Sequence, residues 1–137
     1  MGEKSLGATG AISLRIASSE DAAALFGPTF SHSGVEELRT AHVDDQRRLI
    51  ALRIHTGGTA TRLELPLQEI AREALVLHSH GILIAHNHPS GDPTPSRSDI
   101  DATRALSEFV TRLGIHLYDH LIFAQGGWRS LSALGLL

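Results

Sequence analysis

Cysteine is absent from the 137-residue chain, which removes disulfides, thiolate zinc sites and cysteine nucleophiles together. No apolar run approaches the roughly 20 residues that a membrane-spanning helix needs. The N-terminus lacks the charged-then-apolar pattern of a secretory leader, so the expected compartment is the cytoplasm. A net charge of −3 gives no global electrostatic attraction to nucleic acid. What remains is an ordinary globular composition, 42% hydrophobic and 20% charged, in a chain long enough for one domain with a conventional core.

The apolar and polar residues alternate between helical and strand patterns. Residues 1–10 are rich in Gly, Ser and Thr, and the N-terminal segment 1–30 is expected to be partly mobile, ahead of a domain over 31–137. Residues 11–17 alternate weakly, as an edge strand would. Ser19-Glu20-Asp21 reads as a helix start and Gly27-Pro28 as its stop. Residues 35–43 and 49–55 predict a hairpin around the polar turn Asp44-Asp45-Gln46-Arg47. The spacing predicts a helix over 67–80, with Gly81 as its stop, and a second helix over 96–113. Strands are expected at 82–85, 115–124 and 128–131. Strands and helices interleaved in this way point to an α/β sandwich around one mixed sheet, with no internal repeat.

The stretch Ala85 to Asp99, A-H-N-H-P-S-G-D-P-T-P-S-R-S-D, carries the chemistry. His86 and His88 stand two apart at the end of the apolar run Ile82–Ala85, and strand alternation places them on one face. Pro89 cannot donate to a sheet ladder and ends the strand. Gly91, Pro93 and Pro95 turn the chain, and Asp99 falls in the first turn of the next helix. Two imidazoles and a carboxylate supply three zinc ligands and leave one tetrahedral position open, as in a catalytic site. Ser96-Arg97-Ser98-Asp99 also reads as a helix capping box, which needs no metal. That reading leaves two imidazoles at the end of a buried strand without partners, which is costly.

The motif His86-x-His88, Ser96, Asp99 resembles that of the JAMM (MPN-plus) metalloproteases, and the wording H-N-H-P-S-G-D-P-T-P-S resembles their bacterial RadC branch. Gly58-Thr59, Gly114-Ile115 and Asp119-His120-Leu121-Ile122 extend the resemblance over about residues 35 to 133. It implies a three-layer α-β-α sandwich around a curved mixed sheet, the cytidine-deaminase-like JAB/MPN fold. It also implies one zinc ion per chain on His86, His88 and Asp99, and a glutamate base on an early strand. Counting back from Asp44 makes Glu36 that base, with Glu37 its rival. Ser96 would donate a hydrogen bond to the developing oxyanion. The substrate implied is a peptide or an isopeptide-linked protein, cleaved by water whose proton passes through Glu36 to the leaving amine.

The remaining histidines are read as structural. His78-Ser79-His80 repeats the His-x-His spacing, but on a helix residues two apart diverge by about 200°. His120 is read as a packing residue, with support of the site as the alternative, and His32, His42, His55 and His116 as surface or core positions. The letters H-N-H also name a nuclease class, whose histidines stand far apart in a strand–strand–helix finger, unlike this triplet. A second class of function is a DNA-associated protein, since the RadC branch carries a historical DNA-repair label. The helix-hairpin-helix region of that branch is not expected here, since residues 1–34 leave no room for it. Arg39, Arg47, Arg48, Arg53 and Arg62 lie among acidic residues and read as a solvated face. A third class is a binding module without activity. Homodimerisation through a sheet edge or helix is compatible with the pattern.

Overall fold

The computed structural model describes residues 14–30, 34–55 and 65–137. The expected mobile end over 1–10, the first three residues of the 11–17 edge strand, the Gly58-Thr59 match, His32 and Arg62 lie outside these residues. In chain order the elements are α1 (Ser19–Phe26), a 3-10 turn (Gly27–Thr29), β1 (Leu38–Val43), β2 (Leu49–His55), α2 (Leu67–Val76), β3 (Gly81–Asn87), α3 (Arg97–Thr111), β4 (His116–Ala124) and β5 (Gly127–Ser130). The strands form one sheet in the order β2-β1-β3-β4-β5. β3 and β4 are parallel and the other neighbours antiparallel. Parallel strands need a long crossover, and α3 supplies it.

Local chemistry explains where the helices begin. Ser18 caps α1 by accepting from the Asp21 amide at 3.0 Å, and the Asp21 carboxylate accepts from Ala17 N at 2.9 Å. Such a cap contributes about 1 kcal/mol. Gly27 and Pro28 then tighten the chain into the 3-10 turn. β3 is buried along its whole length, so its alternation divides the core. Leu83 and Ala85 pack with Ile16, Ala22, Phe26, Ala41, Val43 and Leu121 on the α1 face. Ile82 and Ile84 pack with Leu38, Ile70, Ala74, Leu106 and Val110 on the α2/α3 face. Each of these larger apolar side chains stabilises the fold by roughly 1.5–3 kcal/mol when buried. The result is a mixed five-strand sheet with helices on both faces.

Several expected boundaries move. α2 stops at Val76, short of His80, because His78 adopts a left-handed backbone (φ 56°) and Ser79 N bonds back to Ala74 O at 2.9 Å. Gly81 is therefore the first residue of β3 and not a helix stop. Its lack of a side chain matters for another reason: a Cβ there would collide with the Tyr118 ring. β1 begins at Leu38, so Glu36 and Glu37 precede the strand. Of the weak edge strand, Arg15 forms one bridge to Arg48, flanked by Ile16 N to Arg47 O at 2.8 Å and Leu49 N to Leu14 O at 2.7 Å.

Candidate metal centre

β3 delivers His86 to the α2/α3 face, and His88 follows just past the strand end, where its amide still bonds Phe123 O at 2.7 Å. Gly91 then takes φ 99°, a turn that a side chain would strain, and the chain returns to start α3. The first turn of α3 carries Asp99 back to the imidazoles. His88 Nε2 lies 3.0 Å from Asp99 Oδ2, and His86 Nε2 lies 3.4 Å from Asp99 Oδ1. The three residues offer ligand atoms that are all within 4.8 Å of one another. Ligand atoms about 2.0–2.2 Å from a tetrahedral zinc lie roughly 3.3–3.6 Å apart, so the spacing suits such an ion.

The hydrogen bonds behind His86 decide which way its lone pair points. Thr103 Oγ1 has one proton and donates it to Asp99 O at 2.6 Å. The same oxygen lies 2.6 Å from His120 Nδ1, so it accepts there and Nδ1 carries the proton. His120 is wholly buried, its pKa pushed well below the ordinary imidazole value by burial and then by His86. It is therefore neutral, and its Nε2 is a bare acceptor. That nitrogen lies 2.6 Å from His86 Nδ1, which must donate. His86 Nε2, fully buried and without a hydrogen-bond partner among the described residues, is left with a lone pair facing a carboxylate. His88 follows the same logic, since its Nδ1 donates to Asp92 O at 2.8 Å and directs Nε2 at Asp99. Deprotonated, the two Nε2 atoms and the carboxylate form a donor set for a cation; a proton on His88 Nε2, 3.0 Å from Asp99 Oδ2, takes the same place. Second-sphere partners of this kind fix the tautomer and orientation of metal-binding histidines.

Electrostatics agree. Burial alone would raise the Asp99 carboxyl, but His86, His88 and the Ser96 amide hold it well below the carboxylate range. His88 is raised by its bond to Asp99, against burial. The neighbouring Glu36 is buried, with Oε1 lacking a hydrogen-bond partner among the described residues. Burial raises its pKa, while His86 and His88 pull it back.

Asn87, between the two histidines, explains how Glu36 comes to face them. Its side chain points to the opposite side, accepting from Glu37 N at 2.7 Å and donating to Val35 O at 3.0 Å. This clamp on both sides of Glu36 holds the segment where the β1–β3 ladder has ended. Glu37 turns the other way and pairs with Arg39 at 2.9 Å. The structure thus brings Glu36 to the imidazoles and leaves Glu37 outside.

Ser96 is the N-cap of α3, and the capping box is complete: its Oγ accepts from Asp99 N at 3.0 Å while Asp99 Oδ2 accepts from Ser96 N at 2.8 Å. The cap does not exclude the ligand reading of Asp99, because Oδ2 serves the box and His88 while Oδ1 faces His86. Sequence reasoning overlooked Asn87 and Thr103 and read His120 chiefly as packing. His120 is bonded directly to His86, through a β3–β4 pairing that local sequence does not reveal. Arg39 also departs from the solvated reading. It is buried, bonded to Thr29 and Glu37 and lying 4.5 Å over the Phe30 ring. Arg47 stacks on Tyr118 at 3.8 Å, and Arg48 pairs with Asp44 at 3.0 Å. No helix among the described residues is long and apolar enough to cross a membrane.

Comparison with known proteins places this geometry. The profile of the RadC-like JAB domain matches residues 16–136. UPF0758 protein STH371 of Symbiobacterium thermophilum is 36% identical over 110 residues, which is 80% of this chain and 47% of that protein. UPF0758 protein SPO0054 of Ruegeria pomeroyi is 38% identical over 109 residues, 80% of this chain and 49% of that protein. The chain thus spans about half the length of these curated relatives. Its mixed five-strand sheet, flanked by helices on both faces, is consistent with the JAB/MPN fold. From the profile match over nearly its whole length, the chain belongs to the RadC-like JAB domain family.

Proposed function

We propose that this chain is a zinc-dependent metallopeptidase or isopeptidase in which His86, His88 and Asp99 hold one ion and Glu36 is the general base. One observation carries the reading: the Thr103–His120–His86 relay leaves a buried imidazole lone pair aimed at a carboxylate. Zinc matches a set of two imidazoles and one carboxylate. When bound, it supplies Lewis acidity that polarises a carbonyl and eases the ionisation of water.

The protein groups perform the proton work. Glu36, with an unpartnered oxygen and a pKa raised by burial, accepts a proton from the attacking water. The resulting oxygen nucleophile adds to the amide carbon. Glu36 then returns the proton to the departing nitrogen as the C–N bond breaks, yielding a carboxylic acid and an amine. Asn87 holds the backbone on both sides of Glu36, so the carboxylate need not be positioned anew in each turnover. The Ser96 hydroxyl accepts from Asp99 N through a lone pair and lies 3.1 Å from Ser98 Oγ; with Ser98 as donor in that pair, the Ser96 proton is left to donate to an oxyanion. Capping and catalysis are compatible in one hydroxyl for that reason. Such a donor lowers a barrier by roughly 2.7–4 kcal/mol.

The test is hydrolysis of fluorogenic peptide and isopeptide substrates by zinc-loaded protein, with a chelator control. Glu36→Gln should keep its zinc and lose roughly 10²- to 10⁴-fold in rate. Chelator-insensitive hydrolysis, or an unaltered rate in Glu36→Gln, contradicts the assignment. If no substrate is cleaved and the protein instead shows salt-dependent DNA binding, the DNA-associated class takes its place.

A further inference from the structure

A second group of imidazoles and carboxylates lies between the hairpin and α2, separate from the first. Glu69 and Glu73 stand four apart on α2, which puts them on one helix face. That face meets the end of β2. His55 Nδ1 is 3.5 Å from Glu69 Oε2, and His55 Nε2 is 3.5 Å from Glu73 Oε1. Each of the three residues offers a ligand atom within 4.8 Å of the other two. From the far side, His42 Nε2 approaches the same Glu73 Oε1 at 3.6 Å, while its Nδ1 lies 2.9 Å from Ser79 Oγ.

None of the inward atoms is satisfied. His55 Nε2, Glu73 Oε1 and His42 Nε2 are all buried without a hydrogen-bond partner among the described residues. The His55 side chain is only 7% exposed and that of His42 is 0% exposed. Buried polar atoms left unpaired are costly, and three in one place call for a common partner. Separations of 3.5 Å are long for a hydrogen bond. They run to opposite nitrogens of the His55 ring, of which one ion takes one, so one of them matches the edge of a zinc tetrahedron, roughly 3.3–3.6 Å, while the three ligand atoms lie within 4.8 Å of one another.

We propose that His55, Glu69 and Glu73 form a second site for a divalent transition ion of the zinc class, with His42 supporting Glu73 from behind. Glu69 is 52% exposed, so the remaining coordination positions open to water. The site does not join the first in a two-metal centre. His55 pairs with Leu38, and Leu38 pairs with His86, so the two histidines are two strand spacings apart, about 9–10 Å. Two-metal centres hold their ions about 3.5–4 Å apart. The role that follows is a clamp joining the end of the edge strand β2 to α2, with β1 between it and the strand that carries His86.

Zinc titrated into chelator-stripped protein, followed by calorimetry, tests the site. The parent should bind two ions per chain, and Glu69→Gln, a change at a half-exposed side chain, should weaken one of the two events about 10- to 100-fold. Asp99→Ala should lose the other event and keep the one that depends on Glu69. If Asp99→Ala does not fold, as judged by circular dichroism, His88→Ala serves in its place. Saturation of the parent at one ion, or two events that Glu69→Gln and Glu73→Gln both leave unchanged, overturns the proposal. The cluster would then be a network of polar contacts among His55, Glu69 and Glu73 without an ion.

Discussion

The Thr103 hydroxyl is the far end of the relay that fixes the His86 tautomer, and Thr103→Val removes that hydroxyl while keeping the branched shape. Thr103 is completely buried, so the volume change is small and the loss is one oxygen that both donates to Asp99 O and accepts from His120 Nδ1. Without it, the His120 proton can move to Nε2, which then donates to His86 Nδ1 and forces the His86 proton onto Nε2. The nitrogen meant for the metal becomes blocked. The bias against this state is one buried hydrogen bond, about 1–3 kcal/mol, which converts to roughly 5- to 150-fold in zinc affinity. Competition with a chromophoric chelator at neutral pH measures the change at the His86–His88–Asp99 centre, in a Glu69→Gln background that weakens the second site. Thr103→Ser restores the hydroxyl and should recover most of the affinity. Equal affinities in Val, Ser and parent proteins would refute the relay.

Three further outcomes are expected. Asn87→Ala loses two hydrogen bonds to the backbone beside Glu36, about 0.5–1.5 kcal/mol each, and should reduce hydrolysis far more than zinc affinity; equal losses in both would contradict the positioning role. Gly81→Ala drives a Cβ into the Tyr118 ring and should lower the thermal midpoint, overpacking costing about 1–3 kcal/mol; adding Tyr118→Ala should recover part of it, and strict additivity would show that the contact is not the cause. The third concerns His42, whose pKa burial, then Arg53 and His55, lower from 6.5 to about 4. Below pH 6.5 the unfolded imidazole takes a proton that the folded one refuses until about pH 4. Metal-free protein should therefore lose stability as pH falls through that window, by up to about 3 kcal/mol. Urea titrations at several pH values should show a shallower fall in His42→Gln, and identical slopes would contradict the assignment.

The legible parts of the molecule were those that local sequence dictates. β3 could be read because a fully buried strand is a continuous apolar run, and the two histidines follow it directly. Ser96 and Asp99 supported two readings; the capping box is formed, and the second carboxylate oxygen leaves the ligand reading open. The end of α2 was misplaced because His78 takes a left-handed backbone, which histidine adopts more readily than most residues but which no pattern announces. Gly81, taken for the stop, is instead demanded by the Tyr118 ring across the parallel β3–β4 pair. The support of the site was hidden for the same reason. His120 and Thr103 reach His86 through a crossover pairing, and Asn87 reaches from β3 to the residues that precede β1, so each contact depends on tertiary register. His55 and Glu73 are likewise joined only when β2 and α2 pack.

The most direct test of the account is a crystal structure grown with one equivalent of zinc, with anomalous difference maps recorded on both sides of the zinc edge. The strongest peak should lie among His86 Nε2, His88 Nε2 and the Asp99 carboxylate, with bond lengths of about 2.0–2.2 Å. An empty position there, with His86 Nε2 instead hydrogen-bonded to Asp99, would contradict the metal centre and the hydrolytic function built on it.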